Sequence, residues 1–272
     1  MLSYKDLFSL DGQVAVVTGG AGILGAHCCA GLAEHGATVV VLDLTSEKAV
    51  ETAQSLTEQF GTPALGVGCD VSDPQAVQAA VEQVVETYGE IHVLHNNAAS
   101  KSNDLTALFA PTEDYTLDQW RAIMSVNLDG MFLVAQAVGA QMIQQGHGSI
   151  IQTASIYGVV GPDDRIYEGS HYLGGAINTP AVYAASKGGV VALTRYLATT
   201  WARHGIRVNT LTPGGVESGQ NETFTSKYAA RVPMGRMGLP HEMVGALVFL
   251  ASDASSYMTG QNLVVDGGLT AW

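Results

Sequence analysis

Positive charge is scarce in this chain. Only 12 Lys+Arg stand against 25 Asp+Glu, a formal net charge of -13. So acidic a chain is poorly suited to gripping nucleic acid regardless of sequence or to settling on an anionic membrane, since both need a basic surface. Small molecules and proteins are left as partners. Cysteine is nearly absent: Cys28, Cys29 and Cys69 are an odd set, two of them adjacent, without metal-ligand spacing. That argues against a disulfide framework, and no clustered His/Cys/Asp pattern suggests a metal site. The cysteines read as small buried side chains in a reducing compartment, and the cytoplasm is the expected location. The start, MLSYKDLFSLDGQ, has no long apolar run behind a basic segment, and no apolar run of membrane-span length is expected further on. Pro/Ser-rich linkers, charge blocks and internal repeats are missing as well, so one domain over residues 1–272 is expected.

The chain does have core material, with 47% hydrophobic residues. Short β-branched runs recur at 14–18, 38–43, 65–71, 91–96, 149–153, 206–211 and 262–266. They are almost continuously apolar rather than alternating, as expected of parallel strands covered on both faces. Helix-length segments lie between them at about 22–36, 46–60, 74–88, 118–145, 181–203 and 240–252, the third opened by Asp73 as N-cap and Pro74 in its first turn. The expected fold is α/β: a doubly wound (Rossmann) seven-stranded parallel sheet with helices on both faces.

The first strand runs into 18-TGGAGILG-25, where Gly20, Gly22 and Gly25 satisfy G-x-G-x-x-G in a strand-turn-helix context. Missing side chains there let backbone N–H groups approach a pyrophosphate at the helix N-terminus; a tight turn without a ligand is the alternative. The second strand ends at Asp43, whose carboxylate suits adenosine ribose hydroxyls and repels a 2'-phosphate, which favours NAD over NADP. Capping of the next helix is the competing role for Asp43. In 183-YAASK-187, Tyr183 and Lys187 share a helical face, a spacing that by itself decides nothing.

Taken in order, the glycine turn, Asp43, 96-NNAA-99, 127-NLDG-130, 155-SIYG-158, 183-YAASK-187, 213-PG-214 and 259-TGQNLVVDGG-268 resemble the short-chain dehydrogenase/reductase superfamily along almost the whole chain. The resemblance implies Tyr183 as general acid/base, Lys187 lowering its pKa and holding the nicotinamide ribose, Ser155 bonding the reacting oxygen and Asn127 supporting a proton-relay water. It also implies cofactor contacts from Gly19, Gly22, Ile23, Leu24, Gly25, Asp43, Leu44, Asp70, Val71, Asn97 and Val216. Two departures stand out. The glycine loop reads T-G-x-x-G-x-x-G, with Ile23 where the family's compact form has a glycine, and Ala99 replaces the glycine of N-N-A-G.

Tyr183 follows Ser155 at roughly twice the separation usual in the family, leaving an insertion at 159–180 beside the expected substrate pocket. Arg165, Tyr167, Glu168, His171, Tyr172 and Asn178 within it suit a polyhydroxylated ligand, with Arg165 or His171 as candidate partners for a carboxylate, phosphate or sulfonate. An oligomer contact or a solvated flap is the alternative role. Tyr157 and Tyr167 lack a lysine four positions on and are set aside as catalytic candidates. An NAD-dependent dehydrogenase of sugars, sugar acids or related polyols is expected. A 3-oxoacyl-carrier reductase and a non-catalytic NAD-binding regulator are the rivals. The apolar C-terminus ending at Trp272 suggests a homo-oligomer, a dimer or tetramer.

Overall fold

The computed structural model describes residues 4–100, 104–172 and 175–272. Seven parallel strands build one sheet: β1 (Val14–Thr18), β2 (Thr38–Asp43), β3 (Ala64–Gly68), β4 (Val93–Asn96), β5 (Gly148–Thr153), β8 (Ile206–Pro213) and β9 (Asn262–Val265), in the order β3-β2-β1-β4-β5-β8-β9. Two short strands, β6 (His171–Tyr172) and β7 (Gly175–Ala176), pair antiparallel within the 159–180 segment, whose residues 173 and 174 lie outside the described ones. The helices are α1 (Ile23–Glu34), α2 (Ser46–Phe60), α3 (Pro74–Tyr88), α4 (Leu105–Leu108), α5 (Leu117–Met124), α6 (Met131–Gln145), α7 (Ala181–Trp201), α8 (Glu222–Ala229) and α9 (Val244–Ala251).

Alternate residues of each strand point to opposite faces, so the sheet carries two cores. Val14, Val16, Val40 and Leu94 pack with Val81 of α3, Val134 of α6 and Leu197 of α7. Ala15, Val17, Val39 and Val41 pack with Leu32 of α1, Leu56 of α2 and Leu247 of α9. A strand buried on both faces has no polar side to alternate with, which is why its sequence reads as an unbroken apolar run.

Several boundaries differ from the sequence expectation. β3 stops at Gly68 rather than 71, because the Asp70 carboxylate turns back to accept the Ser72 N–H at 2.9 Å and Asp73 then caps α3. The helix expected over 118–145 is interrupted by a wide π-helical turn, Ser125–Gly130, between α5 and α6. Helix α8 was not foreseen. The expectation that nothing reaches membrane-span length is also corrected: Leu117–Gln145, 29 residues within which an 18-residue window reaches a mean hydropathy of 1.4, passes by length and composition. Here its apolar side chains Met131, Val134, Val138 and Met142 are buried in the protein's own core.

Candidate active site

Strand order reverses between β1 and β4, so the crossovers diverge and leave a crevice at the strands' C-terminal ends. Thr18, the last residue of β1, locks the two sides of that crevice together. Its hydroxyl donates to Asn96 Oδ1 at 3.1 Å and accepts the N–H groups of Asn97 at 2.8 Å and Ala98 at 3.0 Å. Asn97 therefore sits directly above the glycine turn. Gly19 takes the left-handed conformation, φ +63°, and a Cβ on Gly25 would lie 2.1 Å from the Gly19 carbonyl oxygen. The turn can fold back on α1 only if both are glycine. Gly22 is the N-cap of α1, and no side chain caps the helix, so its first-turn N–H groups are left for an anion. Gly20 faces the core instead, against Val41 and Cys29.

At the other side of the crevice, β5 runs into Ser155 and a short 3-10 turn, Ile156–Gly158. Gly158 rests on the backbone of α7: a Cβ there would lie 2.6 Å from the carbonyl of Lys187 and 2.8 Å from Gly188 N. This contact brings the Ser155 hydroxyl near enough to the Tyr183 phenol to act on its pKa. Burial is the largest influence on Tyr183 and raises its pKa, an effect the Ser155 hydroxyl opposes and the nearby Tyr167 reinforces. Lys187 is buried at 2% exposure, its Nζ donating to Thr153 O at 2.8 Å and lying 5.9 Å from the Tyr183 ring centroid. Burial pulls the Lys187 pKa down from 10.5 to about 8. Asn127 lies in the π-helical turn, where Oδ1 accepts the Ser100 N–H at 2.8 Å and Nδ2 is buried without a protein partner. A wide turn that presents a side chain in this way is a recurrent feature of functional sites.

These parts line one cavity of about 690 Å³. Gly19, Gly22, Ile23, Leu24, Gly25, Asp43, Leu44, Asp70, Val71, Asn97 and Val216 border it, and so do Ser155, Tyr183 and Lys187. Asn127 is behind the wall rather than on it. The cradle fits a dinucleotide: it offers uncapped helix N–H groups, has no room for side chains at two glycines, and has a carboxylate at the end of β2. Asp43 Oδ2 also accepts the Ala21 N–H at 3.0 Å, so the acid is tied to the glycine turn as well as lying near the cap of α2.

Arg165 and His171 do not line this cavity. The Arg165 guanidinium is exposed and paired with Asp163 at 2.8 Å, and His171 is exposed, its carbonyl accepting from Asn221 Nδ2 at 3.4 Å. Tyr157 and Tyr167 do line it, together with Phe224 and Tyr228 from α8. A rule that asks for a lysine one turn along picks out Tyr183 but not a tyrosine that shapes a pocket. Helix α8 has a signal of its own in Asn221, which caps it by accepting the Phe224 N–H at 2.9 Å.

Away from the cavity, one group among the described residues brings metal-ligand types together: Glu90, His92 and His147, with ligand atoms within 4.8 Å of one another. His92 Nδ1 accepts the Val14 N–H at 3.1 Å, which puts the proton of a neutral ring on Nε2, the atom 3.3 Å from Glu90. A metal would need that nitrogen bare.

Fold and site together define a nicotinamide-dependent oxidoreductase that acts on CH–OH groups. A family model described as Enoyl-(Acyl carrier protein) reductase matches residues 19–270. D-threitol dehydrogenase of Mycolicibacterium smegmatis is 37% identical over 268 residues, 97% of this chain and 95% of that relative. The structure of a gluconate 5-dehydrogenase from Burkholderia cenocepacia J2315, in complex with NADP and tartrate, is 38% identical over 98% of each chain with a TM-score of 0.87. That of NAD+-bound xylitol dehydrogenase is 33% identical over 95% of this chain and 99% of the other, with a TM-score of 0.84. The chain belongs to the short-chain dehydrogenase/reductase family.

Proposed function

We propose that this protein is an NAD-dependent dehydrogenase of a secondary alcohol in a sugar, sugar acid or related polyol, working reversibly with the ketone. The observation that carries the reading is the convergence of Ser155, Tyr183 and Lys187 at one end of a cavity whose other end is a glycine turn with an acid beside it. When bound, the nicotinamide supplies or accepts a hydride. In the oxidising direction the carbinol carbon loses its hydride and the hydroxyl gives its proton to Tyr183, leaving a ketone; reduction reverses both transfers. Ser155 holds the reacting oxygen. The Lys187 ammonium favours the phenolate of Tyr183, and the unpartnered Asn127 amide is available to hold a water through which the proton leaves.

NAD is preferred over NADP in this reading because of the chain's own lining, since the relatives carry either cofactor. Asp43 and Asp70 border the cavity, and Lys187, at its far end, is the only cation among the described lining residues. A 2'-phosphate at Asp43 would meet a like charge and no arginine. The test is cofactor reduction, followed by its absorbance, across polyols, sugars and sugar acids with NAD and NADP in parallel. Asp43→Ala is expected to lower the NAD/NADP ratio of kcat/KM by about tenfold or more, the scale of one charged hydrogen bond. An unchanged ratio would show that another feature discriminates.

A further inference from the structure

The reactive end of the cavity is built of hydroxyl groups and aromatic faces. Tyr157 follows directly on the Ser155 turn, and Tyr167 reaches in from the 159–180 segment. The Tyr167 hydroxyl is 2.5 Å from Thr179 Oγ1 and donates to the Tyr157 hydroxyl at 3.5 Å. Its ring stacks on Phe224 with centroids 5.3 Å apart, so the phenol is held from two sides. Tyr167 is also near enough to Tyr183 to act on its charge. Burial holds the Tyr157 phenol in its neutral form.

The cations of this region point elsewhere. Arg165 and Arg231 both pair with Asp163. Lys227 donates to the carbonyls of Arg165 at 3.2 Å and Glu168 at 2.6 Å, and its ammonium is 3.6 Å from the Glu168 carboxylate. None of the three lines the cavity.

Deepening the dehydrogenase reading on which it rests, we infer that the substrate is an uncharged polyhydroxy compound, its further hydroxyls bound by the phenols of Tyr157 and Tyr167, and that carboxylates are rejected. A phenol both donates and accepts, as a substrate hydroxyl does, so the two can bond in either sense. A carboxylate needs donors alone, best charged ones, and burying it without them leaves its desolvation uncompensated. Here it would enter a protein of formal charge -13 and, among the described lining residues, meet one cation, Lys187, which is already bonded to Thr153. Aromatic faces suit the C–H surface that a polyol presents between its hydroxyls.

The experiment compares tetritols, pentitols and hexitols with the aldonates of the same carbon count, and with a secondary alcohol bearing one hydroxyl, using NAD and NADP. The best alditol is expected to exceed its aldonate in kcat/KM by on the order of 100-fold, the scale of a charge buried unpaired. Tyr167→Phe is expected to raise KM for that alditol and to lower its kcat/KM roughly tenfold more than that of the one-hydroxyl alcohol. An aldonate used as well as its alditol, or better, overturns the inference while the dehydrogenase reading stands. A Tyr167→Phe loss shared equally by both alcohols also overturns it, because the phenol would then serve the fold rather than the substrate. Silence on every alcohol with both cofactors overturns inference and function together.

Discussion

At the scale of single residues, Tyr183 and Lys187 form an economical device. One turn of α7 carries both, and burial moves their pKa values in opposite directions, raising the phenol and lowering the ammonium. Tyr183→Phe is expected to lower kcat by at least about 10³-fold, within the range for a lost general acid/base, while the dissociation constant for NAD stays within about twofold. A variant turning over at near-normal rate would remove Tyr183 from the chemistry. Lys187 makes a second claim testable without any substrate. Its pKa in the fold is about 8 against 10.5 when exposed, so the unfolded chain holds more protons between those values. The cost of burying the charge is therefore fully present below pH 8 and is relieved as pH rises towards 10.5. Lys187→Met is expected to be more stable than the parent at neutral pH, by up to about 3 kcal/mol, with the advantage narrowing at alkaline pH. Thermal melts across that range check it, and a less stable variant would mean that the Thr153 hydrogen bond outweighs burial. These residues are legible in sequence because their chemistry fixes their spacing along one helix. Tyr157 and Tyr167 are not, because what makes them pocket residues is a meeting between a turn and a distant segment that no local pattern records.

At the scale of elements, the parallel strands announce themselves by their apolar runs, α3 by its Asp73 cap, and the ends of α2 and α3 by Gly61 and Gly89 just past them. The wide turn at Ser125–Gly130 is silent in sequence. One extra residue in a turn barely disturbs a helical hydrophobic period, and the apolar pattern runs on into α6. Helix α8 is equally quiet, since it offers the core only Phe224 and Tyr228 from an otherwise polar stretch. The Ser155 turn is held against α7 through Gly158, and a methyl group there must push the two apart. Gly158→Ala is expected to lower kcat by roughly 10- to 100-fold, the penalty for displacing a reacting group by about an ångström, with KM for NAD little changed. Normal kcat would show that the turn yields without moving the serine.

At the scale of the whole molecule, the doubly wound architecture follows from the alternation of apolar runs and helix-length segments, but the order of strands across the sheet does not, because right-handed crossovers are compatible with more than one order. Assembly is less legible, because an exposed apolar residue at a chain end has the same sequence signature whether or not a partner covers it. Trp272 is 80% exposed beside β9, the outer strand of the sheet. Light scattering is expected to give a dimer or tetramer for the parent and a smaller mass for Trp272→Asp at equal concentration; a monomeric parent would refute this. The acidic charge bears on the acyl-carrier alternative, since an acidic carrier docks on basic surface and would be repelled here. The Gly158 contact reaches further than the rate of one variant. The 159–180 segment leaves the body of the protein at that contact and rejoins it at Pro180, where α7 begins. Both feet of the loop stand on the scaffold that carries the serine, the tyrosine and the lysine. Lengthening, shortening or rewriting the span between them changes what can enter while the serine, the tyrosine and the lysine keep their places, Tyr167 being the point at which the span also touches the chemistry of Tyr183.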